Sequence, residues 1–465
     1  MNEALPSTTL RRYYDEASWV AEFVPQGDQV TISLFDTRDD RLIGSQESQG
    51  ADESSWDHIA HILIDGRIEP SVEDRLARVP GLCEQLKGDP IFHMSLNSKE
   101  LFHSNLLAWF FDKYPLAARF VCAQWADAQA GASWRPTERE RKKLDLIIYP
   151  DGLSPLVVEN KVLSLPDIDQ LDDYAATKLD GLDDPCLLLL SLVAPGWTSG
   201  HHTTPSGHTW RYVSYLELAD ALDDSMALVE GSSGNDAEFD LALMDRYAQM
   251  IRTLHQLIRT VSATKPVDSF NLDPQIHDEL AGINLYSVVG KQRAFFAAQH
   301  ARAMSPRVVD ASALTFGARL TRRFPLVEGF VELPNGDHLG WQYQEQRFRL
   351  AVKVGDESLR GTSEAIRAAR HRYVAENYAW WFDFDPLIRE VPEVAESPVP
   401  EKEMIGEFYR FDPGFVYRYR TWQRPSASQL AEVSASYLAL LQATLEVSKS
   451  KPDRGTSGGR RHQRS

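Results

Sequence analysis

An α/β protein is what this sequence predicts, and three observations carry that expectation. Residues 143–161, KLDLIIYPDGLSPLVVENK, set two apolar runs around a Pro150-Asp151-Gly152 turn, the pattern of a β-hairpin. Cys186 to Val193 is almost continuously apolar, as in a strand buried on both faces. From Asp236 to Val261 the spacing of Leu241, Met244, Tyr247, Ile251, Leu254 and Ile258 is helical.

The remaining elements follow in chain order. Val20 to Ser48 alternates as strands turning at Thr37-Arg38-Asp39-Asp40. Helices are expected over Trp56–Leu63, Ser71–Leu86, Ser98–Phe111 (capped near Asn97 or Ser98) and Ala117–Gln129. After the hairpin, Asp167 behind Pro166 suits the N-cap of a helix carrying Gln170 and Tyr174. Ala194–His208 reads as a loop near the substrate. Its His201, His202 and His208 lack acids or cysteines at ligand spacing. Trp210–Ser214 is a strand and Tyr215–Leu222 a helix, and Gly231–Asn235 is a polar break. Beyond a boundary near Ala263–Asp273, Pro274–Arg302 is helical and the 308–355 region is strands. Asn335-Gly336 turns a hairpin there, and Arg347–Val354 adds a strand. Helices follow at Ser363–Trp381 and Ala427–Val447. The expected division is an N-terminal extension (1–70), a core (71–265), a C-terminal α/β region (266–447) and a basic tail unlikely to order (448–465).

At 465 residues the chain exceeds one ordinary core. A hydrophobic content of 43% with 10% aromatics is that of a folded soluble protein. No run suits a bilayer span or a signal peptide. Cys83, Cys122 and Cys186 are scattered, which favours the cytoplasm and argues against disulfides or a zinc site. The net charge of -18 disfavours indiscriminate nucleic-acid binding, so phosphate contacts must come from local clusters. Arg135, Arg139, Arg141, Lys142 and Lys143 form one, leading directly into the first hairpin strand.

The hairpin itself carries chemistry. Folded about Gly152, it sets Asp145 opposite Glu159, and alternation puts Lys161 on the face of Glu159. Opposed carboxylates repel. A divalent cation removes that penalty, and hard oxygen ligands suit magnesium.

Asp145 followed by Glu159-Asn160-Lys161 resembles the D…(D/E)xK signature of the PD-(D/E)xK nuclease superfamily. The literal Pro-Asp pair, Pro150-Asp151, sits in the turn. Asp145, inside the strand, is therefore taken as the ligand and Asp151 as a turn residue. Gln170 through Tyr174 resembles the QxxxY motif of RecB-like exonuclease domains. Glu100, His103-Ser104 and the residues to Phe111 resemble an E…HS…LA.LL pattern of related bacterial nucleases. The resemblance covers about Ser95 to Leu192, with weaker echoes to about Val261.

It implies a restriction-endonuclease-like core, a mixed sheet flanked by helices, joined to the further α/β region. It implies a metal-dependent phosphodiesterase acting on DNA, in repair, restriction or phage defence, with Mg2+ as cofactor and Mn2+ as a substitute. Asp145 and Glu159, completed by Glu100, would hold the metal. Lys161 would work beside the attacking water, and Gln170 and Tyr174 would position water, Lys161 or DNA. His103 would meet the phosphate, alongside Arg139, Arg141, Lys142 and Lys143. A homodimer would suit double-strand cutting. The alternative, motivated by the acidic balance, is an inactive nuclease fold acting as a nucleic-acid-binding or protein scaffold.

Overall fold

The computed structural model describes residues 10–14, 18–26, 29–37, 41–49, 53–65, 72–98, 100–126, 134–150, 154–197, 200–229, 235–305, 314–321 and 324–450. The turns expected at 38–40 and 151–153 and the tail from 451 lie outside them. The chain divides into two compact units: Met1–Ser262 with Leu272–Val289, and Ala263–Asn271 with Gly290–Ser465.

The first unit begins with four antiparallel strands in sequence order: β1 (Leu10–Tyr14), β2 (Trp19–Gln26), β3 (Gln29–Asp36) and β4 (Arg41–Gln49). Alternation along β3 buries Val30, Ile32 and Leu34 against Ala60 and Ile64 of the helix Glu53–Asp65. The larger sheet of this unit has the order β5-β6-β7-β8-β10-β9. Its strands are β5 (Trp134–Arg141), β6 (Leu144–Pro150), β7 (Leu156–Lys161), β8 (Cys186–Ser191), β9 (His201–Thr203) and β10 (Thr209–Ser214). β5, β6 and β7 pair antiparallel, whereas β7, β8 and β10 run parallel, so the sheet is mixed and β7 lies where the direction changes.

Helices cover both faces. Leu146, Val158 and Leu188 pack with residues of the helices Glu100–Lys113, Pro115–Ala126, Tyr215–Met226 and Asn235–Val261. Ile147, Val157 and Leu189 pack with Leu171 and Tyr174 of the helix Ile168–Thr177. This two-sided burial explains why β7 and β8 are apolar at odd and even positions alike. Ser214 and Glu217 form a reciprocal capping box at the start of the Tyr215 helix, fixing the junction with β10.

Two expectations need correction, and one strand is new. The basic run before the hairpin is itself a strand, β5. Its Pro136 falls in a register irregularity between Arg135 and Glu138, the place an edge strand tolerates proline. The expected Ser71–Leu86 helix is two, Val72–Leu76 and Val79–Lys87, divided just before Pro80, which stands in the first turn of the second. Asn97 and Ser98, expected to cap the next helix, instead end another, Pro90–Ser98.

The second unit carries an antiparallel sheet of order β11-β12-β13-β14-β16-β15. These strands are β11 (Leu314–Thr321), β12 (Phe324–Glu332), β13 (His338–Gln344), β14 (Arg347–Lys353), β15 (Tyr409–Phe411) and β16 (Phe415–Thr421). One sheet face, with Trp341, Leu350 and Val416, packs on the helices Glu364–Tyr378 and Ala427–Ser450.

Candidate active site

The β6–β7 ladder pairs Ile148 with Leu156, Ile147 with Val157 and Leu146 with Val158. The ladder ends there; continued by one step, its register would set Asp145 opposite Glu159. There a side chain takes over from the ladder: Asp145 Oδ2 accepts from the backbone N–H of Asn160 at 2.8 Å. Glu159 alternates onto the face of Val157, toward the Ile168 helix, and Lys161 joins it. Lys161 Nζ lies 2.7 Å from Glu159 Oε1, with side-chain exposures of 12% and 2%. Glu159 Oε2 is buried without a hydrogen-bond partner.

Burial, then the neighbouring Asp145 charge, pushes Glu159 up to about 7. Burial likewise lifts Asp145 to about 6, against the downward pull of the Asn160 N–H and Lys161. Burial alone would lower Lys161, but the adjoining Glu159 outweighs it and the pKa stands above the ordinary lysine value. Lys161 therefore keeps its proton and acts as a fixed positive charge.

Asp167 caps the Ile168 helix as expected, accepting from the N–H groups of Asp169 and Gln170. Gln170 Nε2 donates to Tyr174 Oη at 2.7 Å. Tyr174 stands close enough to Glu159, Lys161 and Asp145 to feel their charges. The expected pair thus lies on the sheet face that carries Glu159.

Glu100 enters from the other side of β7. Its charge acts on Asp145, Glu159 and Lys161. Its Oε1 is engaged, however, accepting from Leu163 N–H at 3.3 Å and Ser164 Oγ at 2.9 Å. Among the described residues no group of three or more His, Cys, Asp or Glu side chains is arranged to hold a metal. The expected three-carboxylate set is therefore not formed, and what remains is Asp145 with Glu159. That donor set fits magnesium, which is commonly held by one or two carboxylates, its other positions going to water and substrate phosphate. The unpartnered Glu159 oxygen is an acceptor that could serve as a ligand.

The basic residues gather at the β5–β6 turn. Arg139 donates to Asn105 Oδ1 at 2.6 Å, and Arg141 to Glu138 and Tyr149 Oη. Lys142 reaches the Asp180 carbonyl at 3.3 Å, and Lys143 is exposed. Lys142 and Lys143 form a two-residue hairpin turn with φ of 51° and 73°, and Glu140 just before it has φ 54°. Such turns favour Asn-Gly, so the lysines here are held in a strained conformation.

His103 does not meet the expectation of a phosphate contact. It is fully buried, its Nδ1 pairs with Tyr247 Oη at 2.9 Å, and burial lowers its pKa to about 3. A neutral, enclosed imidazole cannot reach a nucleic acid. Among the loop histidines, His202 pairs with Asp172 at 3.0 Å.

Sequence reasoning passed over Asn160. Its side chain donates to the Glu100 carbonyl at 3.2 Å and Ser104 Oγ at 3.1 Å, and accepts from Tyr215 Oη at 2.5 Å. It ties the Glu100 and Tyr215 helices to the strand bearing Glu159 and Lys161. The available signal was a buried amide in an otherwise apolar strand, which demands partners.

Residues 90–249 match the family model of the PD-(D/E)XK nuclease superfamily. Neither the curated proteins nor the solved structures yield a match.

Proposed function

With residues 90–249 matching the PD-(D/E)XK nuclease superfamily, whose members generally use divalent metal ions, we propose that this chain is a magnesium-dependent nuclease that hydrolyses DNA. The observation that carries the reading is the buried, unpartnered Glu159 oxygen beside Asp145, with the Lys161 ammonium at hand. Three carboxylates against one ammonium leave the cluster negative, which attracts a divalent cation. Asp145 and Glu159 hold it. The chemistry it supplies when bound is charge neutralisation at the phosphate and a lower pKa for water. Lys161, firmly protonated, offsets charge developing on the phosphate. Gln170 and Tyr174 orient the nucleophilic water or the strand, and Arg139, Arg141, Lys142 and Lys143 meet the backbone. Manganese substitutes for magnesium in the same oxygen site. We assign this activity to a cytoplasmic role in repair, restriction or phage defence, in which a homodimer would deliver two cuts to a duplex. No described helix is long and apolar enough to cross a membrane.

The test is cleavage of a panel of single- and double-stranded DNA and RNA with magnesium, comparing wild type with Asp145→Ala and Lys161→Ala. Loss of cutting in both variants is expected. Equal activity in all three proteins would remove the proposal, and cutting confined to RNA would correct its substrate.

A further inference from the structure

The second unit's sheet has two unlike faces. One packs on helices. On the other, Phe330, Ala351 and Tyr417 cluster with Tyr409, Phe415 and Tyr419 of the same sheet, and Lys402 of the helix Glu401–Met404 lies 5.5 Å from the Tyr409 ring. Register places these side chains together: Ala351 is opposite Tyr417, Arg349 opposite Tyr419 and Tyr409 opposite Tyr417. The rings form a ladder. Phe411 stacks on Tyr417 with centroids 5.1 Å apart at 16°, and Tyr409 stacks on Tyr417 at 5.5 Å and 28°. Phe411, at 40% exposure, is the open end.

Cations border the ladder. Arg347 lies 5.1 Å from the Tyr419 ring, and Arg349 lies 5.4 Å from Tyr417 and 5.8 Å from Phe411. Arg349 is the informative one. It is only 3% exposed, and its Nη1 donates to the neutral Gln344 Oε1 at 3.0 Å. Its Nε has no partner, and no carboxylate pairs with it among the described residues. Burial pulls its pKa below the ordinary arginine value. Glu345 acts on it by charge but does not pair with it, and a desolvated cation so weakly compensated is costly to maintain, a cost that an incoming phosphate would offset. The buried acid of this face, Glu328, is already engaged by Arg319, Gln342 and Lys353.

We propose that this face binds single-stranded nucleic acid, with bases stacking on the Phe411 end of the ladder and phosphates meeting the exposed Arg347, drawn there also by the charge of the buried Arg349. Stacked planar rings beside arginines suit unpaired bases, whereas a duplex hides its base faces. An acidic peptide would satisfy the cations but leave the ring ladder unused. The inference is independent of the catalytic reading, since such binding needs no metal.

The experiment uses the full-length Lys161→Ala chain in EDTA, so that cleavage plays no part. Fluorescence anisotropy is measured with a labelled oligothymidylate, with the corresponding duplex and with polyglutamate. Saturable, salt-sensitive binding to the single strand is expected, at least tenfold tighter than to duplex or polyglutamate. Adding Phe411→Ala with Arg347→Ala, both on exposed side chains, weakens it at least tenfold, with thermal melting confirming an intact fold. If the pair of changes melts early, Arg347→Gln alone serves and should weaken binding severalfold. Absence of single-strand binding, or binding indifferent to these changes, overturns the inference. Equal or tighter binding of polyglutamate would reassign the face to an acidic protein partner.

Discussion

Replacing Glu159 by glutamine should stabilise the metal-free protein while abolishing its response to magnesium. The glutamate is 2% exposed, and its pKa stands at about 7 against 4.5 ordinarily. A carboxyl raised in the fold contributes stability that is fully present below about pH 4.5 and is lost as pH rises through about 7. At pH 8 the difference amounts to roughly 3 kcal/mol held against the folded, ionised form. A glutamine places an NH2 near Lys161, which offsets part of the gain and leaves about 2 kcal/mol. For a unit of this size that corresponds to about 4–8 °C in Tm. At pH 5 the advantage shrinks to under about 1 kcal/mol, because the wild-type carboxyl is then protonated in the fold. The assay is thermal melting at both pH values, with and without magnesium. The wild type should gain Tm with the ion at pH 8 and Glu159→Gln should not. A variant that melts at or below the wild type at pH 8, or by a margin equal at both pH values, would refute the reasoning.

Other perturbations follow from the same geometry. Asn160→Ala removes three side-chain hydrogen bonds and strands the Tyr215 hydroxyl, so urea unfolding should show a loss of about 2–4 kcal/mol. Its kcat should fall more than its KM changes, because the strand bearing Glu159 and Lys161 loosens. His103→Leu should leave nucleic-acid Kd within about twofold while lowering stability by about 1–3 kcal/mol through the orphaned Tyr247 hydroxyl; a tenfold loss of affinity would return His103 to the interface. Lys142→Asn with Lys143→Gly relieves two positive φ values and should stabilise the unit by about 1–2 kcal/mol. The same pair should weaken nucleic-acid binding and flatten its salt dependence; unchanged binding would make the lysines turn residues only.

The hairpin was legible because its apolar runs are long, and face alternation followed from the two-residue period alone. Gln170 and Tyr174 were legible for a similar reason: a cap and a four-residue spacing define one helix face. β5 was not legible, because WRPTERER has neither apolar alternation nor a buried face, and its pairing comes from β6. His103 misled because a polar type in a helix says nothing about which side of the sheet it faces. The position of Glu100 was recoverable, but not that Leu163 and Ser164 would occupy its carboxylate. That engagement depends on residues some sixty positions away in the chain. β15 and β16 were hidden by their many aromatics, which read as generic core.

β7 is two instruments in one strand. Its odd residues, Glu159 and Lys161, share the face of the Ile168 helix, and its even residue Asn160 clamps the helices behind. A single-residue slip would exchange those duties, driving two charged groups under the helical layer and turning the amide outward. Insertions or deletions in the connection before Leu156 are therefore more dangerous to this protein than most point changes within the strand.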